Sequence, residues 1–450
     1  MASGVIDSKL YRDLYTSEEM KATFSDESLL QKWLDAWVAL AESEAEEGVI
    51  PHEAAVKIAE KGDYRHFDMK TIREGITDTT HPLIVQIREF TKIVGGDAAK
   101  YIHWGATTQD IMDTAVVLQM KEAVNILVKQ LKTFLRTLLF HAREHEKTIM
   151  PGRTHGQHAL PVTLGYKVAI WADEVGKHLE RLDEGKKRFL TGSFHGAVGT
   201  LASLKEDGLA VQKRYCEKLG LRQPTITWHV QRDGFAEFSS TIAMVASTMG
   251  KIANEIINLQ KSEIGEIEEG FKMGQVGSST MPHKRNPMIC EYVVGIARVV
   301  QKNAALGFES MIQEHERDMT FWTSEWSYIP QICMFTSSGI KQMQGVLDRW
   351  IIHKENMEKN IQLLQGLIVS ENLMLALGKY IGRVEAHDII YEVSMQAFGE
   401  KKPLIDAALD NSTIMTHFTE KEVKEHLDPK TYIGLCSELI ERVEKKWAAW

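Results

Sequence analysis

The chain has 450 residues, 44% of them apolar, with a formal charge of −9 at neutral pH. This composition supports a sizeable globular core and excludes a disordered chain. The negative charge and the lack of any basic block argue against a nucleic-acid binder or a protein held on an anionic membrane, and leave room only for a local site for a small anion.

The N-terminal stretch MASGVIDSKLYRDLY lacks the charged-then-apolar pattern of a signal peptide, and no apolar run approaches the roughly 20 residues of a membrane span. The expected location is the cytoplasm. Up to about residue 105 the pattern is one of shorter helices, with Thr16-Ser17-Glu18-Glu19 and Ser25-Asp26-Glu27 as helix starts. After His103-Trp104-Gly105 no glycine or proline occurs until Pro151. Within that interval Ile111 is followed by Val116, and from there Met120, Val124, Leu127, Leu131, Leu135 and Leu138 recur at three- and four-residue steps. This predicts one helix of up to about 40 residues, roughly 60 Å long. A second long helix is expected after Pro161, a third from about Phe235 to Phe271, and a fourth from Met288 to about Tyr328 and on past Pro330. From about Asn356 short helices resume, broken near Lys402-Pro403 and Asp428-Pro429. Strand signals are nearly absent. Helices this long need partners along their whole length, and the central ones are apolar on more than one face. The expected fold is all-α, with domains 1–105, 106–355 and 356–450 and a central long-helix bundle completed by other subunits. Cys216, Cys290, Cys333 and Cys436 form no CxxC or metal-type spacing and are read as reduced and buried.

Polar clusters break this pattern: DTTHP (78–82), HWGATTQD (103–110), GRTHGQH (152–158), WHVQRD (228–233) and GSSTMPHKRNP (277–287). Singly, each has a plain structural reading. Thr107 or Thr108 can cap the long helix, His81 can be a turn residue before Pro82, and His155 and His158, three apart, lack an obvious third metal ligand. Together they lie at or near helix ends, where hydroxyls, free N–H groups and a positive dipole end can hold a carboxylate. A lysine and an asparagine beside such a site suit an enediolate, formed when a proton leaves the carbon next to a carboxylate. Serine serves as the base only where positive charge and N–H donors stabilise its alkoxide, and a histidine can protonate the leaving group. These residue types point to acid/base elimination on a dicarboxylate without a metal or organic cofactor.

The GSSTMPHKRNP loop resembles the signature loop of the fumarase/aspartase superfamily, and the other clusters follow that family's order across nearly the entire chain. The resemblance implies a homotetramer with active sites shared among three subunits. It is nearest to the branch of adenylosuccinate lyase and 3-carboxy-cis,cis-muconate cycloisomerase. By that resemblance His155 is the general acid, His81 assists it, Ser278 is the general base and Glu291 is the acidic partner of the acid histidine. Lys284 and Asn286 match ligands of the substrate carboxylate. Thr107, Thr108, Gln231, Ser279, Arg317 and Tyr15 are implied as further substrate contacts.

Three departures bear on the substrate. Adenylosuccinate lyases hold a nucleotide phosphate with arginines at positions that here read Leu14, Thr80 and Trp326. Losing three arginines forfeits several charge-assisted hydrogen bonds of about 1.5–3 kcal/mol each, so a purine nucleotide is not expected. Gly234 and Phe235, beside Gln231, stand where nucleotide-processing relatives often have Arg-His, which suggests a smaller or less polar pocket. The sequence-based reading is a fumarate-releasing C–N lyase acting on a small N-substituted aspartate. The alternatives are 3-carboxymuconate cycloisomerase, toward which Trp322 and Trp326 lean, and a non-catalytic, crystallin-like structural descendant.

Overall fold

The computed structural model describes residues 4–270, 278 and 280–450. The described chain is overwhelmingly helical, with two small two-stranded antiparallel sheets. It forms two compact units: residues 1–131, 178–250 and 295–341 make the first, and 132–177, 251–294 and 342–450 the second. In the first unit the core gathers Leu34, Trp37 and Leu40 of helix α1 (Asp26–Glu46), Phe90 of α2 (Ile84–Val94), and Ile111 and Ala115 of α3 (Thr108–Glu144). A core in the second unit is built from short helices after residue 360, around Leu373, Leu377, Ile390, Leu404 and Val423.

Helix α3 runs unbroken for 37 residues, as its periodicity predicts. Ala123, Val124, Leu127, Leu131, Phe134, Leu135 and Leu138 are all fully buried, on more than one face. Each such side chain contributes on the order of 1.5–3 kcal/mol when removed from water, and such a helix is stable only with neighbours on several sides.

Three expectations are corrected. The segment before the second long helix is a hairpin, β1 (Ile149–Thr154) with β2 (Gln157–Thr163), ahead of α4 (Leu164–Phe189). Its strand signal is masked by two prolines and two glycines, and a register irregularity between Pro151 and Arg153 absorbs the first of each. The third long helix, α5 (Asp233–Leu259), stops twelve residues short of Phe271, because the chain turns at Gly265 (φ 57°) into β3 (Ile267–Glu268). The fourth is two long helices, α6 (Met288–Ala304) and α7 (Met319–Leu347), with a four-residue helix, Leu306–Glu309, between them. His315 at φ 53° turns the chain between them, and Asp318 accepts the Thr320 N–H at 2.8 Å to start α7. Pro330 lies inside α7, as expected; it cannot bond the Trp326 carbonyl, which α7 tolerates. Among the described residues no single helix is long and apolar enough to cross a membrane. All four cysteines are free and buried, with burial pushing the Cys216 thiol up to about 12.

Candidate active site

The residues singled out from the sequence fall into two groups, one in each unit. Tyr15, His81, Thr107, Thr108, Gln231 and Arg317 belong to the first, and His155, Ser278, Lys284, Asn286 and Glu291 to the second. Ser279 lies outside the described residues.

In the first unit the group is organised around the start of α3. Asp110 is fully buried there, and its two oxygens collect four good donors. Oδ2 accepts the backbone N–H groups of Thr107 (2.9 Å) and Gly196 (3.0 Å). Oδ1 accepts the His195 N–H (2.9 Å) and His229 Nε2 (2.8 Å). Burial alone would raise this carboxyl, but the bonds from His229 and Thr107 hold it below the usual carboxylate range. Asp110, three residues after Thr107, thus caps the helix by accepting a backbone N–H, and neither threonine hydroxyl bonds a helix N–H among the described residues. Both hydroxyls remain available to a ligand at a helix N-terminus.

His81 caps α2, its Nδ1 accepting the N–H groups of Leu83 (3.2 Å) and Ile84 (3.0 Å). A neutral His81 therefore carries its proton on Nε2 and can only donate there. His103, at φ 62°, likewise accepts the Trp37 indole N–H on Nδ1 at 3.0 Å. Burial lowers its pKa to about 4 against the opposing pull of Asp110, with His81 adding to the lowering. Arg317 donates to the Ala197 carbonyl at 2.7 Å, so the 193–199 loop tied to Asp110 also positions this guanidinium. Tyr15 packs edge-on to Phe335 at 6.1 Å. Gln231 is exposed beside a cavity of about 300 Å³ that Arg222, Trp228, Gly234 and Phe235 also line.

Beneath lies a second buried network. Arg232 pairs with Asp113 (2.8 Å) and with Glu325, and Trp322 donates to Asp113 at 2.8 Å. Burial raises Glu325, with Arg232 opposing it. Trp326 packs edge-on against Trp322 at 5.1 Å.

In the second unit, His155 and Gly156 form the two-residue turn of the β1–β2 hairpin, both with positive φ (54° and 75°), and the imidazole stands exposed at the tip. Arg153 anchors the hairpin to buried Glu266 with bonds of 2.9 and 2.5 Å. Ser278 Oγ accepts the N–H groups of Thr280 (3.3 Å) and Met281 (3.0 Å), the kind of donors a serine alkoxide needs. Just after β3, Glu269 accepts the N–H groups of Ile289 (3.2 Å) and Cys290 (2.9 Å), tying the end of that strand to the start of α6, although burial raises its pKa. Lys284 and Glu291 are exposed and Asn286 half-buried. No hydrogen bond or ion pair joins His155 to Glu291 among the described residues.

Asp110, His103, His229, Arg153 and Glu269 are the positioning residues not singled out from the sequence. Only Asp110 had a readable signal, the three-residue capping spacing after Thr107.

A family model described as lyase matches residues 14–302, and one described as adenylosuccinate lyase C-terminus matches residues 366–443. The chain is 41% identical to N-acetyl-S-(2-succino)cysteine lyase of Enterococcus italicus, over 99% of this chain and 98% of that one. The chain belongs to the fumarase/aspartase superfamily. It is also 40% identical to adenylosuccinate lyase of Methanocaldococcus jannaschii, over 96% of this chain and 94% of the relative. Among solved structures it resembles 3-carboxy-cis,cis-muconate lactonizing enzyme from Pseudomonas putida, with a TM-score of 0.91 and 32% identity over 98% and 99% of the two chains. Membership makes it an enzyme of the lyase family.

Proposed function

We propose that the chain eliminates fumarate from a small succino-compound that is not a nucleotide. The observation that carries this reading is Leu14, Thr80 and the packed Trp326 at positions where the resemblance expects phosphate-holding arginines, in a chain that keeps the residues the resemblance assigns to elimination. Ser278 takes the proton from the carbon beside a carboxylate, its alkoxide stabilised by the Thr280 and Met281 N–H groups. Lys284 and Asn286 hold the enediolate, and Thr107, Thr108, Gln231, Ser279, Arg317 and Tyr15 hold the rest of the substrate. His155 protonates the leaving atom with Glu291 as its acidic partner, and His81 assists through its Nε2–H.

The leaving atom read from the sequence is nitrogen. The succinocysteine lyase at 41% identity adds a second reading, sulfur. The two differ physically: a thiol with a pKa near 8.5 leaves readily as thiolate, whereas an amine must be protonated. Active sites shared among three chains of a homotetramer follow from the same proposal. In its support, α3 by itself spans roughly 55 Å between Thr108 and Glu144, and His155, Lys284 and Glu291 are exposed in the single chain.

Proton NMR of purified protein with N-acetyl-S-(2-succino)cysteine, a panel of N-substituted aspartates, adenylosuccinate and 3-carboxymuconate tests this. Fumarate vinyl signals from a succino-thiol or succino-amine, with adenylosuccinate untouched, are the expected result. Lactone from 3-carboxymuconate without fumarate release elsewhere establishes the cycloisomerase instead. Turnover of adenylosuccinate overturns the argument from the missing arginines.

A further inference from the structure

His141, Glu144 and His145 lie at the C-terminal end of α3, at i, i+3 and i+4, and so share one helix face. His141 Nε2 is 3.1 Å from the Leu347 carbonyl oxygen. A carbonyl only accepts, so Nε2 carries the proton and Nδ1 of the neutral ring is a lone pair. That lone pair faces Glu144 Oε2, itself an acceptor, at 3.2 Å. His145 Nε2 faces the same oxygen at 3.6 Å, while its Nδ1 lies 3.2 Å from the Thr148 hydroxyl. The three ligand atoms thus lie within 4.8 Å of one another, and the His141 Nδ1 lone pair meets the Glu144 oxygen favourably only through a cation or a second proton.

The surroundings fit a metal ion better than a proton. An imidazole whose second nitrogen donates to a backbone carbonyl is oriented as metal-bound histidines usually are. Tetrahedral zinc with bonds of about 2.0–2.1 Å has ligand–ligand edges of roughly 3.3–3.4 Å, bracketed by the 3.2 and 3.6 Å contacts. Trp350 packs edge-on to both rings, at 4.9 and 6.3 Å, and holds them in place. Glu144 also borders a cavity of about 360 Å³ with Thr148 and Glu358, so one side of the cluster is open to solvent.

We propose that His141 Nδ1, Glu144 Oε2 and His145 Nε2 bind one divalent transition-metal ion of the zinc class. Two imidazoles and a carboxylate favour such an ion over magnesium or calcium. The site lies four residues before β1, which carries the His155 turn, so its occupant braces the entry to that hairpin.

The test uses the tag-free, chelator-treated full chain, titrated with zinc against a chromophoric chelator and, separately, with cobalt(II). The expected result is one tight zinc per chain and an intense four- or five-coordinate cobalt spectrum. Glu144→Gln changes a half-exposed side chain and leaves folding intact; it and His141→Gln each weaken zinc by at least about 10-fold. Zinc raises the melting temperature of the parent protein but not of Glu144→Gln. Zinc binding that is absent, or equal in parent and variants, overturns the proposal and makes the contact a proton-mediated His141–Glu144 pair.

Discussion

Asp110→Asn is the most informative single change outside the proposed chemistry. The carboxylate receives two donors on each oxygen: Thr107 and Gly196 on one, His195 and His229 on the other. An asparagine offers one accepting oxygen, so its amide hydrogens must face either the Thr107 and Gly196 N–H groups or the His195 N–H together with His229 Nε2, which accepts only by moving its proton to Nδ1. Two charge-assisted bonds of about 1.5–3 kcal/mol each are lost, and relief from burying a charge offsets part of that, leaving a cost of about 3–5 kcal/mol. Because the folded carboxyl is held below its ordinary pKa, the parent's stabilisation is present above the ordinary carboxylate range and fades as the pH falls through the lowered value. The variant lacks that acid dependence. Denaturant unfolding and amide exchange at Thr107 and Gly196 measure both effects, and KM should rise because the loop that holds Arg317 at Ala197 is released. A midpoint shift worth less than about 1 kcal/mol, with Thr107 and Gly196 still protected, refutes the reasoning.

Glu44 is fully buried with neither carboxylate oxygen partnered, and burial pushes its pKa up to about 9. The unfolded chain ionises this group above its ordinary value of 4.5 while the fold keeps it neutral, so Glu44→Gln should stabilise by about 3 kcal/mol at pH 7 and by nothing near pH 4. His103 and His195 are both lowered by burial to about 4, so each stabilises fully above pH 6.5 and loses that contribution as the pH falls to about 4. His103→Gln should flatten the pH dependence of stability over this window by about 3 kcal/mol; an unchanged slope by urea unfolding contradicts the burial argument. Ser278→Ala should abolish fumarate release without changing the oligomer measured by light scattering, and full activity sinks its assignment as base. With both substrate types in hand, His155→Asn should slow elimination of an amine far more than of a thiol, and equal losses in kcat would show that proton donation is not the role of His155.

The long helix α3 was legible because its apolar repeat continues without glycine or proline, and local propensity and tertiary packing agree there. The β1–β2 hairpin was not, since Pro151, Gly152, Gly156 and Pro161 read as breakers, whereas the structure uses the first two at an irregularity and Gly156 in the positive-φ turn. The end of α5 at Leu259 was equally hidden, because the pairing of β3 with β4 (Ile351–Ile352) is a contact across more than eighty residues. Site residues of recognisable chemistry, such as Ser278, Lys284 and His155, were nameable from their motifs. Of their supports, Asp110 showed only its capping spacing after Thr107 and Glu269 showed nothing, because what marks them as supports is burial together with donors from distant segments. By itself the sequence determined the helical class, the order of the polar clusters and the chemistry those clusters can perform. Tertiary structure alone decided which nitrogen of His81 is free to donate, that Asp110 rather than a threonine hydroxyl caps α3, and that the ligand atoms of His141, Glu144 and His145 converge. Protonation and hydrogen-bond direction depend on what the rest of the chain brings within about 3 Å, and residue spacing does not encode that.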